Sequence, residues 1–152
     1  MASHAEGPKN IEELRTNTEA GSLMAQSMLG ICYLHGIDVG VDYAEAFRLL
    51  SQASERGDPR AMLNLAGMFL RGQGTQRNVS EAMRLYELAA MKGEFLAQIE
   101  LGKICAKGTD VPRDMGMAEK WYAAAAAQAA QILDGEELAE ARAFLASRPP
   151  PR

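Results

Sequence analysis

The sequence predicts an all-α protein in which three helix pairs stack as a solenoid, with N- and C-terminal capping helices. Two observations predict this fold. A pattern of small and apolar residues recurs three times at a spacing of 36 residues, and within each copy the apolar residues are spaced as on one helix face. Repeats of this length bury their apolar faces only by stacking on their neighbours, which is how a solenoid is built.

The repeat covers about residues 22–57, 58–93 and 94–130, and the register holds without insertion or deletion. The columns of identical residues are Ala25, Ala61 and Ala97; Leu29, Leu65 and Leu101; Gly36, Gly72 and Gly108; Ala46, Ala82 and Ala118; and Ala53, Ala89 and Ala125. A further column, made of Gly30, Ala66 and Gly102, contains only small residues. Three copies in one register predict three structurally equivalent units.

The first helix of each repeat, helix A, carries apolar residues such as Ala25 and Leu29 on one face. Gly30 lies beside that face, where the missing side chain lets a second helix approach closely. Gly36 is expected to end the helix, because the residue after the last turn takes a left-handed conformation that glycine adopts readily.

The second helix of each repeat, helix B, begins after an N-cap residue. Asp42 predicts this cap in the first repeat, and Glu45 three residues later completes a capping box. Asp114 lies at the same position in the third repeat, where the glutamate of the box is absent. Helix B is expected to end at Gly57 in the first repeat. In the third repeat Ala129 replaces this glycine, which predicts about one more helical turn.

The two ends of the chain predict closing elements for a single domain over residues 10–147. Residues 11–20 match a lone helix B, and Asn10 is its N-cap. Residues 134–147 match a helix A that would cap the last repeat. Residues 1–9 are expected to form a disordered tail or cloning remnant, and the proline-rich residues 148–152 an extended tail.

Composition and charge exclude several classes of function. The chain has 16 Lys and Arg against 20 Asp and Glu, a formal net charge of −4, so no general cationic field attracts nucleic acid. The longest apolar run, Ala123–Ala127, is far shorter than the roughly 20 residues of a membrane span. No signal peptide is visible, so localisation stays open, with the cytoplasm as the default and the periplasm as the alternative for a truncated chain.

Several stretches in the third repeat match the signatures of a known family. These stretches are Ala97-Gln98, Leu101-Gly102, Gly108–Asp114 and Ala118–Tyr122, and Gly72-Gln73-Gly74 in the second repeat matches the GxG part of the loop signature. They resemble the AQ, LG, GxGVxxD and KAxxWY signatures of the Sel1-like repeat (SLR) family, a relative of the tetratricopeptide repeat. The resemblance covers about residues 21–130. Asp38 and Asp110 depart from it by replacing a loop glycine, and Cys105 by replacing an aromatic residue.

The resemblance implies a right-handed α/α superhelix and a non-enzymatic protein–protein interaction module, an adaptor or scaffold of a kind found in bacteria. Separately, the sequence contains no glycine-rich phosphate loop, HExxH helix or paired-cysteine metal spacing, so we expect no cofactor and no metal. One alternative from the same family is an immunity or inhibitor protein that blocks a secreted bacterial effector. The two capping helices favour a monomer over open-ended stacking, and self-association through the end surfaces is left open.

In such a stack, helix A lines the concave face, and the residues between the packing positions face the groove. The partner-binding residues that this geometry implies are Met24, Ile31, Leu34, His35, Arg60, Leu63, Leu70, Arg71, Leu96, Ile99, Lys103 and Lys107. Because the set has basic and aliphatic members but no acidic one, we expect a partner protein segment with apolar anchors and acidic flanks. The aliphatic members have a second interpretation, which is packing between neighbouring helices.

A different class of function would use Cys32 and His35, which lie three residues apart on one helix. A thiol beside an imidazole suggests a nucleophile, or two ligands of a metal site. No third orienting group or second ligand pair accompanies them, so the sequence predicts neither a catalytic nor a metal site. Cys32 and Cys105 lie two repeats apart, which is too far for a disulfide, and both are expected to be free thiols.

Overall fold

Seven α-helices follow one another in the computed structural model, which describes residues 10–132, 143–144 and 146–147; no strand occurs among these residues. The helices are α1 (Ile11–Glu19), α2 (Leu23–His35), α3 (Tyr43–Glu55), α4 (Pro59–Arg71), α5 (Val79–Met91), α6 (Phe95–Lys107) and α7 (Met115–Ile132). The predicted all-helical secondary structure is therefore confirmed. None of these helices combines the length and the apolar character that crossing a bilayer requires.

The chain divides into two compact units, and the division falls within α5, between Ala82 and Met83. The single domain predicted over residues 10–147 stays a prediction. The predicted tails at residues 1–9 and 148–152 lie outside the described residues, as does most of the predicted capping helix at residues 134–147.

In the first unit, α2 packs against α1 and α3, and α3 packs against α4. Leu14 of α1 is 3% exposed and joins Ala25, Leu29 and Leu49 in one buried cluster. Burial of apolar surface is the main force that holds such helices together. Because Leu14 covers the apolar faces of α2 and α3, α1 acts as the predicted N-terminal capping helix.

Two glycines at the same repeat position allow close packing of helix A on helix B. A β-carbon added to Gly30 would lie 2.7 Å from Cγ of Leu50, and one added to Gly102 would lie 2.7 Å from Cε2 of Tyr122. Carbon atoms in van der Waals contact are about 3.5–4.0 Å apart. Only a residue without a side chain therefore fits at these two positions, which confirms the role predicted for Gly30.

In the second unit, α6 packs against α7. The buried cluster between them consists of Ile99, Cys105, Ala118, Tyr122 and Ala125. The ring of Phe144, which belongs to the predicted C-terminal capping helix, lies 4.4 Å from the ring centroid of Tyr122. Helix α7 has 18 residues against 13 in α3, which confirms the extra turn predicted from Ala129.

The loop between helices A and B is closed in the same way in all three repeats. The backbone N–H of the N-cap residue donates to a carbonyl near the end of helix A: Asp42 to Tyr33 at 2.9 Å, Asn78 to Phe69 at 2.8 Å and Asp114 to Cys105 at 2.9 Å. Because this bond uses only backbone atoms, Cys105 makes it as well as an aromatic residue does.

The N-cap side chains accept hydrogen bonds as predicted, but in the first repeat the prediction that Glu45 completes the capping box is wrong. Oδ1 of Asp42 accepts a hydrogen bond from the N–H of Glu45 at 3.0 Å, and Asn10, Asn78 and Asp114 accept equivalent bonds. The N–H of Asp42 already donates to a carbonyl of helix A, so the Glu45 carboxylate accepts instead from Nε of Arg48 at 3.0 Å. This also explains why the third repeat dispenses with the glutamate.

Left-handed backbone occurs at the end of helix A, as the loop glycines predict. Gly36, Gly72 and Gly108 are the C-cap residues of α2, α4 and α6, with φ of 70°, 66° and 70°. Asp38 replaces a second loop glycine and has φ of 60°. A short polar side chain tolerates this region better than most residues do, so the substitution leaves the loop conformation intact.

A side chain from helix B clamps the start of helix A in the first repeat. Nη2 of Arg56 donates to the carbonyl oxygen of Gly21 at 2.8 Å, and Nη1 donates to Oε1 of Gln26 at 2.9 Å. Gln26 is 7% exposed, and its amide nitrogen donates to Gln52 at 2.9 Å. Both polar ends of this buried amide are therefore satisfied.

The third repeat builds the same clamp with one bond fewer. Gln128 occupies the position of Arg56, and its Nε2 donates to the carbonyl oxygen of Gly93 at 2.6 Å. Gln98, 6% exposed, donates to the carbonyl oxygen of Ala90 at 3.1 Å, but its buried Oε1 accepts no hydrogen bond from the residues that the structure describes. The single N–H₂ group of Gln128 does not serve both acceptors as a guanidinium does.

Candidate functional site

The predicted binding residues of the first unit differ widely in exposure. Met24, His35, Arg60 and Arg71 are exposed, and Ile31, Leu63 and Leu70 are half-buried. Leu34 is only 5% exposed. The assignment of Leu34 to the binding set is therefore wrong. Leu34 packs in the interior, which was the second interpretation of the aliphatic positions, and its side chain has almost no surface for a partner.

In the second unit, Leu96, Lys103 and Lys107 are exposed, whereas Ile99 is 3% exposed and packs in the buried cluster between α6 and α7. The assignment of Ile99 to the binding set is therefore also wrong, because its side chain is buried as that of Leu34 is. Nζ of Lys103 lies 3.6 Å from a carboxylate oxygen of Glu100, one turn earlier on the same helix. This exposed pair reduces the positive charge that Lys103 presents, although such pairs contribute little to stability.

Two of the predicted residues, Ile31 and Arg60, line a single cleft in the first unit with a volume of about 310 Å³. The walls come from α1, from α2 and the loop after it, and from the start of α4. Its lining residues are Asn10, Ile11, Leu14, Met28, Ile31, Cys32, Ile37, Asp38 and Arg60. Most of this surface is aliphatic, so the cleft suits an apolar group of a ligand.

The cleft has the dimensions and chemistry of an anchor site. Its volume lies at the lower end of the range for ligand pockets, which is enough for one or two apolar side chains of a partner. Ile37 is 48% exposed and would lose this exposed area to a ligand. Arg60 and Asp38 are the charged residues of its lining, so the edge carries one positive and one negative group.

Sequence reasoning missed the part of the cleft that does not belong to helix A. Ile11 comes from the capping helix, while Ile37 and Asp38 come from the loop after α2. The resemblance directed attention to helix A alone, and α1 was interpreted only as a cap. The loop after α2 also contains Val39 and Val41, so its composition alone does not distinguish Ile37.

Arg71, at the C-terminal end of α4, lies back along its own helix over Gly67. A β-carbon added to Gly67 would lie 2.5 Å from Nη2, 3.3 Å from Cζ and 3.5 Å from Nη1 of Arg71. Nε of Arg71 donates to Oε1 of Gln73 at 3.3 Å, and Gln73 in turn lies 3.5 Å from the hydroxyl of Tyr43. The guanidinium thus lies along the exposed surface of α4, with Nε directed to Gln73.

Cys32 lines the cleft, but its environment does not activate the thiol. Burial raises the pKa of Cys32 above its ordinary value, and the carboxylate of Asp38 raises that pKa further. A catalytic cysteine needs the opposite shift, because the thiolate is the nucleophile. Both cysteines are free, and the described part of the chain brings no three metal-ligating side chains together.

Comparison with known proteins identifies the repeats. The family model for the Sel1 repeat matches residues 23–58, 59–94 and 96–129. A search of curated proteins found no match. Among solved structures, c5321, a protective antigen of uropathogenic Escherichia coli strains displaying an SLR fold, is 34% identical with a TM-score of 0.71. A Sel1 repeat protein from Oxalobacter formigenes is 26% identical with a TM-score of 0.68.

Each of these two likenesses covers 78% of the present chain. The chain spans 25% of the length of the Escherichia coli protein and 49% of that of the Oxalobacter protein. Their SLR fold, together with the all-helical structure described above, confirms the predicted solenoid fold class. With three matched repeats over more than half of its length, the chain belongs to the Sel1 repeat family.

Proposed function

We propose that this chain is a protein-binding scaffold that holds a segment of another protein with apolar anchors and acidic flanks. Sel1 repeat proteins are generally scaffolds for protein interactions, and this supports the general class. The finer proposal places the first anchor in the cleft lined by Ile31 and Arg60. It is independent of any geometry between the two units of the chain.

The observation that carries the proposal is the chemistry of this cleft. The aliphatic lining favours an apolar side chain, whose burial supplies affinity. Of the two charged lining residues, Asp38 and Arg60, Arg60 is the one that attracts a carboxylate and so orients an acidic partner. Met28 and Ile31 are half-buried and Ile37 is 48% exposed, so the apolar surface is accessible without rearrangement of the core.

The charges of the predicted binding residues support acidic flanks. Arg60, Arg71 and Lys107 are exposed, and no carboxylate forms an ion pair with them among the residues that the structure describes. Basic groups that no carboxylate of the described residues neutralises attract an acidic segment and speed its association, an effect that salt weakens.

The test compares four forms of the protein as baits for partners from a cell lysate. Ile37→Ser removes an exposed side chain that lines the cleft, and Val41→Ser is its matched control, because Val41 is 55% exposed in the same loop but does not line the cleft. Arg71→Glu combined with Lys103→Glu reverses two charges of the predicted binding face.

We expect at least one protein that wild type and Val41→Ser capture to be recovered in much smaller amount by Ile37→Ser and by the charge-reversed variant. The expected decrease is at least about tenfold by quantitative mass spectrometry. Circular dichroism melts should stay close to wild type, because all the substituted side chains are exposed or partly exposed. Equal recovery of every captured protein by all four forms would overturn the proposal.

Two further measurements address the alternatives. An immunity or inhibitor protein predicts a single partner bound one to one at very high affinity. An enzyme using Cys32 and His35 predicts an activity that alkylation of Cys32 abolishes, and the raised pKa of that thiol counts against this alternative.

A further inference from the structure

We propose that Arg71 binds a carboxylate of the partner protein and that Gly67 is the residue that positions Arg71 to do so. This inference rests on the proposed function, because it requires a protein segment with acidic flanks as the ligand. It adds a residue that contacts the partner, Arg71, and a residue that positions it, Gly67, both on α4 in the first unit.

Gly67 is unlike the glycines that serve helix packing. The missing β-carbons of Gly30 and Gly102 make room for a side chain of the neighbouring helix. At Gly67 the three atoms nearest to an added β-carbon all belong to the guanidinium of Arg71, four residues later on the same helix. Side chains on a helix lean toward its N-terminus, so a residue lies over the position four residues before it.

A glycine inside a helix is destabilising relative to alanine. The other repeats do not carry glycine at this position, where Ile31 and Lys103 stand instead. What Gly67 provides in return is a flat site in which the Arg71 guanidinium rests against the helix.

Arg71 does not serve to close the end of α4. The N–H of Gly72 donates to the carbonyl oxygen of Met68, and Nε of Arg77 donates to the carbonyl oxygen of Leu70 at 3.0 Å. These two bonds satisfy carbonyl groups at the C-terminal end of the helix, which is the usual task of a basic residue there. Arg71 is therefore available for another task.

The terminal nitrogens of Arg71 are unused donors. Its Nε donates to Gln73, but within the described ranges neither Nη1 nor Nη2 donates a hydrogen bond. A guanidinium binds a carboxylate best through two parallel N–H groups, and holding it in place beforehand lowers the entropy lost on binding. A carboxylate is therefore the group that fits the two terminal nitrogens of Arg71.

The test uses a defined probe, an array of synthetic peptides that contain paired leucines and a single glutamate at each remaining position in turn. Matched arrays carry glutamine in place of glutamate, and serine in place of leucine. The proteins are wild type, Gly67→Ala, Arg71→Gln and the double variant. The measured quantity is the affinity ratio between each glutamate peptide and its glutamine counterpart.

For at least one glutamate position we expect a ratio of about ten in wild type and about one in Arg71→Gln. Gly67→Ala should lower the ratio to about two while raising the melting temperature by about 2–4 °C, since alanine favours the helix. In the double variant, Gly67→Ala should have no further effect on the ratio, because it acts only through Arg71.

The outcomes separate this inference from the proposed function. Leucine peptides that bind no better than serine peptides would overturn the proposed function and this inference with it. Leucine peptides that bind, with the same ratio in all four proteins, would leave the proposed function standing and overturn the role of Arg71. A ratio that Arg71→Gln lowers and Gly67→Ala leaves unchanged would overturn the positioning role of Gly67.

Discussion

Gln98 and Gln128 offer a direct test of how the clamps at the start of helix A work. In the first repeat, Arg56 satisfies two acceptors, at 2.8 and 2.9 Å. In the third repeat, Gln128 satisfies only the carbonyl oxygen of Gly93, and Oε1 of Gln98 is left buried without a donor. We predict that Gln128→Arg will supply the missing donor and stabilise the protein.

The magnitude follows from the cost of a buried acceptor without a hydrogen bond, which is about 1–3 kcal/mol. Ordering a longer side chain offsets part of that gain, by up to about 2 kcal/mol for arginine. We therefore expect Gln128→Arg to raise the free energy of unfolding by about 1 kcal/mol. For a chain of this length this corresponds to a rise in melting temperature of about 2–4 °C.

The assay is urea denaturation followed by circular dichroism, in a cycle with Gln98→Met. Methionine is what the second repeat has at this position, at Met62, so it removes the buried acceptor in a way that the fold already accommodates. Gln128→Arg should stabilise the wild-type background and have little effect in the Gln98→Met background. Equal stabilisation in both backgrounds would refute the reasoning, because the gain would then have another source.

Two further predictions concern the thiols and a loop glycine. Burial raises the pKa of both Cys32 and Cys105, so at pH 8 their alkylation by iodoacetamide should be slower than that of a small thiol in solution, and it should speed up only at higher pH. Half-buried Cys32 should react before buried Cys105. Rapid labelling of either residue at neutral pH, read by mass spectrometry, would contradict this. Gly74→Ala should lower the free energy of unfolding by more than about 1–2 kcal/mol. The φ of 72° strains alanine, and the new β-carbon meets the carbonyl oxygen of Tyr43. A urea midpoint equal to that of wild type would contradict this prediction.

The repeat made most of the fold predictable from the sequence. Positions that bury small side chains in every unit, such as Ala46, Ala82 and Ala118, are identical in all three repeats and are 0% exposed. Because the same space has to be filled in each repeat, the residue at such a position is the same in all three. The starts of helix B were predictable for a similar reason, since its N-cap side chain and loop bond recur in each repeat.

The candidate site was only partly predictable, because burial at a given helix position depends on what packs around it. Ile31 lines the cleft, but Leu34 on the same helix is buried, and spacing alone did not distinguish them. The cleft itself depends on Ile11 of the capping helix and on Ile37 of a loop. Neither belongs to the repeated pattern, so the column analysis could not include them.

Departures from the period are therefore the better guide to function in this chain. A residue shared by all repeats serves the stack, as Ala46, Ala82 and Ala118 do, each of them 0% exposed. Gly67 breaks its column, costs helix stability and accommodates only its own Arg71. A local rule that is broken without a gain in packing indicates a requirement beyond folding. The same reasoning separates Arg56, whose two hydrogen bonds complete a structural clamp, from Arg71, whose terminal nitrogens donate no hydrogen bond to the described residues.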